Sequence, residues 1–245
     1  MCIFCGNAAT VCQQLPSRRS FTLTASAALA LAASARGFAA PTKTPLKPEN
    51  VISPGAALDR LMQGNHRYVD GVTRRHDFKH ERERLAAGQN PFAGILGCSD
   101  SRVAPELAFD TSRGDLFVCR VAGNIANADV IASFEYALAI LNTPLILVLG
   151  HENCGAVDSA IKSIKEGTTL PGHLPSLVDS ISPAVKAALD RPGNVLDTAI
   201  EQNVAVNVGR LKAAGPIISK AVDEKKVRIV GAIYHLSSGR VEVLD

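Results

Sequence analysis

Four short apolar runs recur along the chain, Phe92–Gly97, Leu116–Val121, Leu145–Gly150 and Arg228–Tyr234. Each has the length of a strand and is apolar on both alternating faces, the pattern of strands buried on both sides in a parallel sheet. The stretches between them place apolar residues at helical spacing: Val130–Leu141, which stops before Pro144, then Gly155–Lys165, Leu174–Leu189 and Val195–Ala213. Strands alternating with helices predict an α/β fold with a mostly parallel central sheet flanked by helices. Gly239–Leu244, which follows Ser237 and Ser238, reads as a hairpin return and predicts an antiparallel C-terminal edge strand. Upstream, Pro54–Asp70 and Phe78–Gly88 combine apolar spacing with charged faces and predict an N-terminal helical arm.

The first 40 residues follow a different grammar. Ser17-Arg18-Arg19-Ser20-Phe21-Thr22-Leu23 leads into an uncharged Ala/Leu-rich run, then into small residues at Ala33-Ser34-Ala35 and Gly37-Phe38-Ala39. A positive region, a short apolar region and a small-residue cleavage site describe an export signal, here of the twin-arginine type, and so predict a periplasmic or secreted protein. Residues 41–52, rich in proline, read as a linker, and residues 53–245 as one folded domain. Arg18, Arg19 and Arg36 account for the whole formal charge of +3. The remainder is balanced, so no basic footprint for nucleic acid is expected. Cys2, Cys5 and Cys12 fall in the leader, where no second metal-binding half accompanies them. Cys98, Cys119 and Cys154 remain, an odd number for a disulfide framework.

Ligands of open α/β sheets collect at the carboxyl ends of strands. Two of the apolar runs end in metal-ligand residue types: Cys98-Ser99-Asp100-Ser101-Arg102 after the first, and His151-Glu152-Asn153-Cys154-Gly155 after the third. Thiolate and imidazole are zinc donors, and a catalytic zinc keeps one position open beyond three protein ligands. Cys98, His151 and Cys154 are therefore the expected zinc ligands, whereas Cys119, in mid-strand without a ligand neighbour, is expected in the core. Asp100, beside Arg102, could either orient a water at the metal or ligate the metal itself.

Cys98-Ser99-Asp100-Ser101-Arg102-Val103 together with Gly150-His151-Glu152-Asn153-Cys154-Gly155 resembles the paired signatures of the beta-class carbonic anhydrases. The likeness runs in family order through Gly114–Asn124, Ser133–Ala137 and Gly231–Val243, and so from about Ser53 to Leu244. The resemblance implies one zinc per subunit on Cys98, His151 and Cys154, with Asp100 and Arg102 as catalytic dyad. It implies reversible hydration of carbon dioxide to bicarbonate and a proton, by hydroxide generated at the metal. Gln89, nine residues before Cys98, matches the family's substrate-contacting glutamine; Phe117 and Tyr136 match its apolar pocket wall, and Gly155 offers an amide at a helix start. The family's pocket is shared across a dimer interface, so a homodimer or homotetramer is implied. Some members also close the site by placing the aspartate on the metal, which is the alternative role for Asp100. His235 departs from a frequent aspartate.

Overall fold

A computed structural model describes residues 52–244; the export signal and linker expected before them, with Cys2, Cys5 and Cys12, lie outside the described residues. The chain runs α1 (Pro54–Val69), α2 (Phe78–Leu85), β1 (Ala93–Gly97), α3 (Pro105–Ala108), β2 (Leu116–Arg120), α4 (Ala128–Ala139), β3 (Leu145–His151), α5 (Gly155–Glu166), α6 (Leu174–Leu189), α7 (Val195–Ala213), α8 (Ile217–Asp223), β4 (Arg228–Tyr234) and β5 (Val241–Leu244). A 3-10 turn, Ala122–Asn124, follows β2. The strands form one sheet in the order β2-β1-β3-β4-β5. All pairs are parallel except β4 with β5, which run antiparallel as the hairpin signal predicts.

The doubly apolar strands produce two cores. Ile95, Leu147 and Leu149 point to one face of the sheet, where Ala57, Leu58 and Leu61 of α1 and Phe109 close over them. Leu96, Ile146 and Val148 point to the other, under α4, α5, α6 and α7. Each fully buried Leu or Ile there contributes about 1.5–3 kcal/mol. The helical arm packs against this sheet through a polar staple. Buried Asn65 of α1 donates to the carbonyls of Ala108 and Gly239, at 2.9 and 2.8 Å, and accepts from the Val241 amide at 2.8 Å.

Two expectations need correction. β2 is half-buried rather than covered on both faces, because among the described residues it stands at the sheet edge with β1 as its only strand neighbour. The expected helices also omit α3 and α8. α3 has four residues and α8 seven, with Ile218 its one buried side chain, so both are too short for helical periodicity, which is read over about 11–18 residues, to show. Several boundaries move slightly: α2 stops at Leu85, and α4 starts at Ala128, where the Asn127 side chain accepts from the Val130 amide.

Candidate metal centre

β1 and β3 lie side by side with Gly97 opposite Leu149, so the loops leaving them emerge together at the carboxyl edge of the sheet. Cys98 is the first residue past β1, His151 the last of β3, and Cys154 the residue that opens α5. Asn153 adopts a left-handed conformation (φ 51°), which turns the chain so that His151 and Cys154 face one point. The three expected ligands are buried, and their donor atoms all lie within 4.8 Å of one another. Among the described residues this is the one group of three His, Cys, Asp or Glu side chains so arranged.

The donor chemistry fits a zinc ion. His151 Nδ1 lies 2.8 Å from the Glu152 carbonyl, an acceptor, so Nδ1 carries the proton and Nε2 presents its lone pair inward. Nε2 is buried and has no hydrogen-bond partner among the described residues, an arrangement that a metal would satisfy. The Sγ atoms of Cys98 and Cys154 are 4.0 Å apart. The Cys154 thiol, hydrogen-bonding to Cys98, draws the Cys98 pKa down to about 4, and the same contact pushes Cys154 up. A bound cation would let both sulfurs become thiolates.

Asp100 is held beside this group by Arg102. Arg102 donates from Nε to Oδ1 at 2.9 Å and from Nη2 to Oδ2 at 2.7 Å, and its own amide adds a bond to Oδ1 at 2.9 Å. These bonds, the Arg102 side chain foremost, keep the carboxyl well below the usual carboxylate range. Asp100 Oδ2 lies 3.9 Å from His151 Nε2, and the carboxylate is turned to the guanidinium rather than gathered with the three donors.

Arg120 performs a related service that the sequence reading missed. From the end of β2 it donates Nε to the Cys98 carbonyl at 2.9 Å and Nη2 to the Asp100 carbonyl at 2.7 Å, clamping the loop that carries both residues. A charged residue closing an otherwise apolar strand run was the available signal. Further out, His235 bridges two acids, Nδ1 to Glu152 Oε1 at 2.7 Å and Nε2 to Glu242 Oε2 at 3.1 Å, which raises its pKa, Glu152 contributing most.

The residues expected to contact substrate divide. Gly155 is exposed at the start of α5, next to Cys154. Phe117 pairs with Gly94, four residues before Cys98, so it stands about 13 Å back along the sheet from the donors. Tyr136 keeps company with it, the ring centroids 6.3 Å apart, and is 47% exposed. Gln89 is exposed on the loop that enters β1, again at the amino end of the strand. Phe117 therefore stands apart from the Cys98 of its own chain, and Gln89 enters β1 at the end opposite Cys98.

Residues 93–241 match a family model described as carbonic anhydrase. The chain is 39% identical over 194 residues to carbonic anhydrase 2 of Mycobacterium tuberculosis, covering 79% of this chain and 94% of that one. The solved structure of the beta-carbonic anhydrase CcaA superposes with a TM-score of 0.61 at 30% identity, covering 78% of this chain and 89% of the other. One of two tetrameric beta-carbonic anhydrases from the filamentous ascomycete Sordaria macrospora gives the same TM-score, 0.61, at 25% identity, covering 78% and 94% of the respective chains.

Proposed function

Because the chain belongs to the beta-carbonic anhydrase family, we propose that it hydrates carbon dioxide reversibly to bicarbonate and a proton, with one zinc ion held by Cys98, His151 and Cys154. The observation that carries the metal assignment is the buried Nε2 of His151, without a hydrogen-bond partner among the described residues, in a group with the two sulfurs whose donor atoms lie within 4.8 Å of one another. Bound there, zinc supplies the Lewis acidity that turns water into a nucleophile near neutral pH. Asp100, held as an acceptor beside the donor group, would orient an attacking water toward the carbon of carbon dioxide; Arg102 fixes the carboxylate for this task. The depressed pKa keeps Asp100 an acceptor and never a donor in neutral solution.

The substrate wall comes from a second copy of the chain. Phe117, with Tyr136 packed against it, stands on the edge strand β2 about 13 Å along the sheet from its own donor set, and Gln89 lies on the loop entering β1 from that same end. A partner docked over that half-buried edge brings its Gln89, Phe117 and Tyr136 to the open side of this chain's donors, as homodimer or as a tetramer of such dimers. Residues 1–40 direct export to the periplasm or beyond, by the leader grammar centred on Arg18 and Arg19.

Stopped-flow hydration of carbon dioxide, with zinc content measured on the same samples, tests the catalytic assignment. Activity is expected to follow zinc occupancy, to disappear on chelation and in Cys98→Ser, and to return when zinc is restored to the unaltered protein. Full zinc occupancy without hydration would overturn it.

A further inference from the structure

Helix α7 carries two asparagines, Asn203 and Asn207, one turn apart on a face otherwise made of Ala199, Ile200, Val204 and Leu211. They are 1% and 0% exposed. Asparagine is a poor helix former, and a buried amide is costly unless its hydrogen bonds are made. Here they are made in a chain. The Ala126 amide donates to Asn207 Oδ1 at 2.8 Å. Asn207 Nδ2 donates to the Asn203 carbonyl at 2.7 Å and to Asn203 Oδ1 at 3.2 Å. Asn203 Nδ2 in turn donates to the Gly123 carbonyl at 2.7 Å.

The far end of this chain is the donor group. The Gly123 amide donates to Cys98 Sγ at 3.3 Å in a buried setting. Gly123 has φ 72° and ψ 19°, which only glycine adopts freely, and an added Cβ would stand 2.7 Å from Ile181 Cδ1. The turn is therefore built for close approach of its backbone to the sulfur, and α7 grips it at Gly123 and Ala126. We infer that Asn203 is a positioning residue for the metal centre: by holding the Gly123 carbonyl it fixes the φ/ψ of Gly123, and so the direction in which the N–H on the other side of that Cα hydrogen-bonds the Cys98 sulfur. The inference rests on the zinc assignment above. An N–H bond to a thiolate is charge-assisted and strong in a dry interior; it fixes the sulfur rotamer and withdraws charge from it. Partners of ligands in this position typically govern metal affinity by 10–100-fold.

The test uses the full chain with Asn203→Ser and Asn203→Leu, and Leu211→Ala as a control buried further along the same helix. Cobalt(II) replaces zinc for absorption spectroscopy, and zinc affinity is measured by chelator competition. Both Asn203 variants are expected to shift the thiolate-to-cobalt charge-transfer band and to lose about tenfold or more in zinc affinity. Leu211→Ala is expected to melt at lower temperature with band and affinity unchanged, which separates positioning from mere destabilisation. In the unaltered protein loaded with cadmium-113, a scalar coupling between the metal and the Gly123 amide proton is expected, and this measurement decides alone if the variants fail to fold. Folded Asn203 variants with unchanged band and affinity, or no such coupling in cadmium protein, would overturn the inference. Failure of the unaltered protein to show any thiolate-to-cobalt band would instead overturn the zinc assignment itself.

Discussion

Asp100 and Arg102, two residues apart on the loop after β1, face each other as a bidentate pair, Nε on Oδ1 at 2.9 Å and Nη2 on Oδ2 at 2.7 Å. Both carboxylate oxygens are thereby fixed in direction, and the guanidinium reaches past them to the Asn153 carbonyl at 3.4 Å, tying the loops after β1 and β3 together. The planar fork is what achieves this, since a lysine ammonium is a single point charge.

Replacing Arg102 should release Asp100 without unfolding the protein, because the guanidinium is half-exposed. Arg102→Leu is expected to lower the hydration rate by about 100-fold, as misplacing an orienting group does. Arg102→Lys should recover only a small part of it. Steady-state hydration kinetics with unchanged zinc content would check both, and a lysine variant with full activity would show that the fork is unnecessary.

If the wall of each pocket comes from the partner, two inactive variants should complement each other. Cys98→Ser removes a metal ligand; Gln89→Ala removes a wall residue. In a mixed dimer, the donors of the Gln89→Ala chain face the intact Gln89 of the Cys98→Ser chain. Co-refolding the two at equal concentration is expected to recover roughly a quarter of the unaltered activity, since about half the dimers are mixed and each holds one complete site. No recovery, with mixed dimers demonstrated by mass spectrometry, would place Gln89 in its own chain's pocket.

His235 links stability to pH. Its pKa is raised above 6.5 by Glu152 first and Glu242 second, so the protonated form is the one favoured by folding. The contribution is fully present below the unfolded value and is lost as pH rises through the raised folded value. With these side chains 29–66% exposed, the effect is held to about 1 kcal/mol by solvent screening. The melting temperature of His235→Gln should thus fall below that of the unaltered protein by about 2–4 °C at pH 6, with the gap closing by pH 9. A gap that widened with pH would contradict this sign.

The leader is testable in a host with a working twin-arginine pathway. Changing Arg18 and Arg19 together to lysine keeps the charge but removes the paired guanidinium groups, and is expected to leave the protein in the cytoplasm. Fractionation followed by immunoblotting would report it; unchanged export would assign the leader another role.

The ligand set was legible because its members come as local motifs. Cys98 closes one apolar run, and His151 and Cys154 flank a three-residue turn after another, so strand periodicity alone places all three at one sheet edge. The Asp100–Arg102 pair was legible for the same reason, its partners being two residues apart. Gln89, Phe117 and Tyr136 were legible as residues through the family resemblance, but their distance from the donors in the same chain was not. That distance depends on which end of a strand each residue occupies relative to the site, a property of register.

By itself, then, the sequence determined the α/β class, the parallel strands, the antiparallel return and which Cys and His side chains gather in a metal-capable group, because each is written in hydrophobic period or in residues close along the chain. Tertiary structure decided what depends on distant partners. It put β2 at an open edge, brought Arg120 onto the Cys98 loop, and set Asn203, 80 residues from Gly123, against the carbonyl of the residue whose amide touches Cys98. The physical reason is that hydrophobic burial is non-directional and readable as pattern, whereas a hydrogen bond across the fold exists only once packing has placed donor and acceptor within about 3 Å.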